Sequence, residues 1–223
     1  MVSGLPGYPK VRMAQQKLLD DTAAPLVPPR PSLRKLRESA VGCKACPLWK
    51  TGTQTVFGEG SPKAEVMFVG EQPGDREDRE GEPFVGPAGR ELDRGLEAAG
   101  IERADAYVTN VVKHFKFEER GRRRIHQTPK RFEIDACRPW LEEELKVVQP
   151  EALVLLGATA AKALLGSSFR VTQHRGELLD SDLAPIVTAT IHPSAILRAP
   201  DDQARQEERD AFAEDLRVVA KAL

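Results

Sequence analysis

One stretch concentrates cations around a single imidazole. Arg120-Gly-Arg-Arg-Arg-Ile-His-Gln-Thr-Pro-Lys130 holds four arginines and a lysine on either side of His126. Burying that many unpaired charges would cost far too much, so the stretch must face water or an anion. It reads either as a solvated basic loop or as a phosphate-facing loop that carries a reactive histidine. A second group is Cys43-Lys-Ala-Cys46 with Cys137, for which His114 is the best-placed fourth partner. Three thiolates and an imidazole suit tetrahedral zinc or an iron–sulfur cluster, and spacing alone does not choose between them. A third group lies in short glycine- and proline-rich turns: Gly70-Glu71-Gln72-Pro-Gly74, Pro83-Phe84-Val85-Gly86-Pro87 and His192-Pro-Ser194. Turns of this composition can hold backbone N–H groups against a ligand, or can simply be turns. Asn110 closes an otherwise apolar run, where its amide must find partners, and the edge of a base is one such partner. No Rossmann or P-loop fingerprint is present, so a nucleotide cofactor is unsupported.

The elements that must position these residues alternate. Short apolar runs at Glu65–Gly70, Ala106–Val112, Ala152–Gly157 and Pro185–Ile191 read as buried strands. Between them lie amphipathic stretches. One follows Pro87, with Leu92, Leu96 and Ala99 on a single face and Gly100 as its stop. Another runs to Val148, with Thr128 as N-cap and Pro129 at the first helical position, burying Ile134, Cys137, Leu141, Leu145 and Val148. Thr159 is expected to cap a helix over Ala160–Leu165, and a final helix runs from about Gln203 to Leu223. Ahead of the first strand, Ser32 caps a short helix over Leu33–Val41 that Gly42 ends. The alternation implies a mainly parallel sheet of four strands covered on both faces, a three-layer α/β/α sandwich. Ligands then bind beyond the carboxyl ends of the strands, where Glu71, Gln72, Asn110, His114 and His192 all fall.

Composition agrees with a single folded domain over residues 33–223 of a 223-residue chain, preceded by a proline-rich extension over 1–32 in which Met13 could be an alternative start. Hydrophobic content of 40% and charged content of 30% are those of an ordinary globular protein. The absence of a long apolar run argues against a membrane role, and the absence of a signal peptide points to the cytoplasm. A net charge of −1 means that affinity for a polyanion must come from local asymmetry. Three cysteines in a reducing compartment suit metal binding better than disulfides.

Together these motifs resemble the uracil-DNA glycosylase superfamily over Leu33 to Leu223. Gly70-Glu-Gln-Pro-Gly74 resembles its first motif and His192-Pro-Ser194 its second, while Cys43-x-x-Cys46 with Cys137 resembles the iron–sulfur branch, family 4. That branch usually has a cysteine where this chain has His114, and it lacks the Arg122-Arg-Arg-Ile-His126 insertion. Both departures resemble the UdgX group, as do Val112-Lys-His-Phe-Lys-Phe117 and Val171-Thr-Gln-His-Arg-Gly176.

The resemblance implies a uracil-DNA glycosylase-like fold and excision of uracil from DNA, single-stranded DNA included, by a monomer. It implies a [4Fe-4S] cluster, with zinc as the alternative, on Cys43, Cys46, His114 and Cys137. It implies that Phe84 stacks on the flipped base, that Asn110 reads its edge and that His192 supports the departing uracil. Glu71 becomes the anion near the sugar. Gln72 stands where the best-known branch has a water-activating aspartate, and an amide is no general base. His126 would then be the nucleophile, left covalently joined to the sugar. Arg122, Arg123 and Arg124 would keep it neutral and, with Lys130, hold phosphates. A conventional turnover glycosylase and a non-enzymatic iron–sulfur DNA-binding module are the competing expectations.

Overall fold

A computed structural model describes residues 21–223, so the proposed extension lies outside the described residues as far as residue 20, Met13 included. From residue 21 onward the chain is docked: Ala23 is fully buried, and its N–H donates to the Ala136 carbonyl at 2.9 Å.

Helix α1 spans Leu33–Ala40, with Ser32 Oγ accepting from the Lys35 N–H at its start. Strand β1 is Val66–Gly70, buried throughout. The short helix α2, Asp75–Glu80, and the longer α3, Pro87–Ala99, lead to β2, Ala106–Asn110. Gly100 ends α3 with φ 75°, a conformation that a side chain disfavours. Then come β3, Phe117–Arg120, and β4, Arg123–His126, followed by α4, Arg131–Val148. The chain closes with β5 Ala152–Leu156, α5 Ala158–Leu165, α6 Val171–His174, β6 Ile186–Thr190 and α7 Asp202–Ala222.

Four strands form one parallel sheet in the order β2-β1-β5-β6. Each offers alternate residues to opposite faces. Met67, Val69, Tyr107, Leu153 and Leu155 pack with Leu36, Trp140, Leu141 and Ala161 on one side. Phe68, Val108, Val154 and Leu156 pack with Leu92, Leu96, Phe212 and Leu216 on the other. The fold is therefore the expected three-layer α/β/α sandwich, with α1, α4 and α5 on one face and α3 and α7 on the other. The chain leaves β1 towards β2 and later leaves β5 in the opposite direction. The order thus reverses between β1 and β5, which opens a crevice at their carboxyl ends.

Four expectations need correction. The basic stretch is not a loop: β3 and β4 pair antiparallel, with Phe117 opposite His126 and Arg120 opposite Arg123. Gly121 makes the two-residue turn possible with φ 61°. Helix α4 does not begin at Pro129, because Gln127 is still tied to Lys116 by its N–H at 3.0 Å. The Lys130 N–H instead donates to Glu133 Oε2 at 2.5 Å, and the first helical residue is Arg131. Along α4, Trp140 and Glu144 are fully buried, whereas Ile134 and Leu145 are only half-buried. Thr159 lies inside α5, whose N-cap is Gly157.

Candidate active site

The carboxyl edge of the sheet holds a cavity of about 1070 Å³, large enough for a base with its sugar. Its floor is Gly70. A Cβ on that residue would lie 2.5 Å from Asn110 Oδ1, 2.8 Å from the Phe84 ring and 3.5 Å from His192 Nε2, so only glycine lets all three converge. Asn110 is buried, and its Oδ1 has no hydrogen-bond partner among the described residues. A buried amide oxygen left unpaired costs about 1–3 kcal/mol, which a donor in the cavity would recover.

Phe84 is buried rather than exposed, and its ring stacks on that of His192 at 6.1 Å and 27°. Its φ of 57° is uncommon for an aromatic residue and costs about 1–3 kcal/mol. Neighbours hold it there. Gly86 N–H donates to the buried Glu77 carboxylate at 2.8 Å, and Gly89 packs so closely that a Cβ would meet the Phe84 carbonyl.

His192 is fixed as one tautomer. The Ser194 backbone N–H can only donate, and it donates to Nδ1 at 3.2 Å, leaving the ring proton on Nε2, which faces the floor. Burial, with help from His126 and Arg198, pushes the His192 pKa down to about 4, so the ring is neutral near pH 7. Arg198 also donates to Ser194 Oγ at 2.9 Å, and that hydroxyl lies 2.8 Å from Nδ1.

Glu71 bridges the crevice between β1 and β5: Thr159 Oγ1 donates to its Oε2. Its Oε1 is buried without a hydrogen-bond partner among the described residues, 3.5 Å from His126 Nε2. His126, at the end of β4, is half-exposed and leans on Phe115. Burial lowers its pKa; Glu71 opposes that effect and Arg198 adds to it. The cation that adds to this lowering is Arg198, at the end of the helical turn after β6, and not one of the arginines beside His126 in sequence.

Arg124 has another task. Its guanidinium grips Asp75, reaches the fully buried Asp78 at 2.6 Å and Thr53 Oγ1 at 3.2 Å, and covers the rings of Phe115 and Phe117. Its charge is neutralised on the protein rather than left free for a phosphate, whereas Arg122, Arg123 and Lys130 are exposed. Gln72 is likewise committed. It donates to the carbonyls of Lys116 and Gln127 at 3.1 and 3.0 Å and accepts from the Lys116 N–H at 3.0 Å, clasping both ends of the β3–β4 hairpin.

The cysteines gather elsewhere, under α4. All three are buried and none forms a disulfide. The Lys113 N–H donates to Cys137 Sγ at 3.2 Å, and the Trp140 indole donates to Cys43 Sγ at 3.4 Å. Burial pushes the Cys137 thiol up to about 12, and Cys46 is raised for the same reason. His114 is buried, not a surface histidine, and its Nε2 lies 3.1 Å from Thr55 Oγ1. Among the described residues, no three His, Cys, Asp or Glu side chains are grouped so as to hold a metal ion. Cys43, Cys46, His114 and Cys137, expected to hold a [4Fe-4S] cluster or zinc, are thus not drawn together as one metal site.

Sequence reasoning missed Thr159 and Arg198 as site residues. Thr159 was read as a helix cap, and a single arginine after His192-Pro-Ser194 carries no pattern. The hairpin anchors yield a direct test. Arg124→Ala should speed amide hydrogen exchange across Phe117–His126 at least tenfold, while strands β1 and β5 stay protected. Unchanged exchange in the hairpin would mean that Asp75 and Asp78 do not hold it.

The chain is similar in sequence to known proteins. The family model described as the uracil DNA glycosylase superfamily matches residues 57–217. The type-4 uracil-DNA glycosylase of Sulfurisphaera tokodaii is 38% identical over 198 residues, covering 85% of this chain and 87% of the relative. That of Thermotoga maritima is 38% identical over 165 residues, covering 74% and 82%. That of Archaeoglobus fulgidus is 34% identical over 188 residues, covering 81% and 90%. With Asn110, Phe84 and His192 converging on Gly70 and most of the chain matched, the protein belongs to the uracil-DNA glycosylase superfamily.

Proposed function

We propose that the protein excises uracil from DNA and becomes joined to the resulting abasic site through His126, as a member of the UdgX group. The observation that carries the excision is the unpaired Asn110 Oδ1 at the cavity floor, between Phe84 and the protonated face of His192. Uracil offers what that floor lacks: N3–H for Asn110 Oδ1, a flat face for Phe84, and an O2 that gains negative charge as the glycosidic bond breaks. A neutral imidazole donating from Nε2 stabilises that charge without having to surrender a proton. The names borne by the relatives support the same substrate.

The covalent step rests on His126 facing Glu71. The lone pair of the neutral ring forms a bond to C1′ of the sugar as the C1′–N1 bond breaks, and that electron pair leaves with uracil. Positive charge passes from the sugar to the imidazole, next to Glu71 Oε1, and the ring's proton then moves to the carboxylate or to water. What remains is a neutral N-alkylimidazole, a poor leaving group. Gln72 offers no competing general base, since its amide clasps the hairpin. Arg122, Arg123 and Lys130, being exposed, would take phosphates of a single strand.

The cysteine site suits a [4Fe-4S] cluster better than zinc. Two of its sulfurs already accept N–H donors, as cluster thiolates do, and a cluster spreads its ligands wider than one ion can. Cys43, Cys46, Cys137 and His114 would hold it, and when bound it supplies a rigid link between the 43–46 loop, the end of β2 and α4. Purified protein should therefore carry iron and broad visible absorbance; zinc in place of iron would overturn the cluster.

A denaturing gel after incubation with uracil-containing single-stranded DNA tests the reaction. A shifted band surviving heat and detergent is expected from the wild type. His126→Ser should instead release abasic DNA, because the uracil pocket is intact and water can enter. Abasic product without a shifted wild-type band would make the protein a conventional turnover glycosylase. Neither product would leave a DNA-binding module.

A further inference from the structure

A fully buried ion pair lies behind the base-reading amide and takes no part in the cavity. Lys113 and Glu144 both have 0% exposure, and they meet at 2.5 Å. Every ammonium hydrogen is used. Lys113 Nζ donates to Glu144 Oε2, to Thr109 Oγ1 at 2.6 Å and to the Asn110 carbonyl at 2.8 Å. Its fourth neighbour is the ring of Phe57, 5.2 Å away. Glu144 Oε1 accepts from Tyr107 Oη and Thr109 Oγ1, each at 2.9 Å, and from the Gly58 N–H at 3.2 Å.

Stability does not explain such a pair, because well-packed apolar residues in its place are often neutral or better. Its geometry does. Asn110 ends β2, and the next two residues turn back to bond the carbonyls of Gly70 and Glu71. The Asn110 carbonyl is left to Lys113 Nζ. The backbone N–H of the same lysine donates to Cys137 Sγ. One residue thus ties the strand end that carries the base reader to the helix that carries a cysteine.

We propose that Lys113 is a positioning residue for base recognition, its ammonium fixing the Asn110 carbonyl and so the direction in which the Asn110 amide meets the base. This rests on the uracil reading of the cavity. Lys113 touches neither substrate nor reacting atoms. Glu144 fixes Lys113 in turn, and Tyr107 and Thr109 fix Glu144.

Removing the lysine alone would strand a buried carboxylate, so the informative variant is Lys113→Met/Glu144→Gln. It removes both charges and the donor to Asn110, keeps an acceptor for Tyr107, Thr109 and Gly58, and leaves the backbone bond to Cys137. Lys113→Arg is the companion: it keeps the charge opposite Glu144 but not the compact ammonium. Three readings are taken beside the melting temperature. They are uracil release from a single-stranded oligonucleotide in a single turnover, affinity for the same oligonucleotide with a tetrahydrofuran abasic analogue, and visible absorbance.

The expected result is a folded protein with wild-type absorbance and wild-type affinity for the abasic analogue. Uracil release should be about 100-fold slower, the scale of a misplacement near 1 Å. Unchanged release in a folded double variant overturns the inference. So does a loss of release that merely follows a loss of absorbance, or failure of both variants to fold, since the pair is then structural only. Wild-type protein that releases no uracil overturns the uracil reading, and the inference with it.

Discussion

Two oxygens buried without partners among the described residues, Asn110 Oδ1 and Glu71 Oε1, set the terms for the site around them. Interiors satisfy their polar atoms, and each exception carries an energetic cost that the fold must offset elsewhere. Here the sheet offsets it, with β1, β2 and β5 buried along their whole length. The parallel order brings the ends of β1 and β2 side by side, Gly70 opposite Asn110, so that both oxygens open onto one cavity. A ligand that donates to the amide and a positive charge that arrives beside the carboxylate would complete the set. That is the demand made by a neutral base leaving a sugar that turns cationic.

The charged hairpin obeys the same logic of commitment. Its arginines divide by what they touch. Arg124 turns inward to Asp75 and Asp78 and packs on two phenylalanines, which makes it a fastener. Gln72 clasps the other end, so the imidazole of His126 is held from both sides of the ribbon at its contact with Glu71. Only the outward cations are left for a polyanion. The pKa of His126 is lowered by burial and by Arg198. The neutral form is therefore the resting form at neutral pH, and protonation removes it as the pH falls below the usual histidine range.

The sheet was legible in the sequence because its strands are buried on both faces and so are written as unbroken apolar runs, as in Val66–Gly70 and Ala152–Leu156. Caps with a single physical meaning were legible too: Ser32 accepts from Lys35, and Gly100 takes a left-handed turn. The hairpin was not, since its strands are largely exposed and paired through the backbone, and periodicity finds only burial. The site residues at strand ends could be located, because a parallel sheet fixes where its ligands go. Their commitments could not. Whether Arg124 holds a phosphate or two aspartates, and whether Thr159 caps a helix or holds Glu71, depends on contacts between segments 46 to 88 residues apart.

The proposed reaction turns on one atom pair, a histidine nitrogen and a deoxyribose carbon. Digesting the protein after incubation with a uracil-containing single-stranded oligonucleotide, and sequencing the peptides by mass spectrometry, reads that bond directly. The account predicts a deoxyribose adduct on the peptide bearing His126, and on that residue within it. An unmodified His126 beside released uracil, or an adduct on any other side chain, would contradict it.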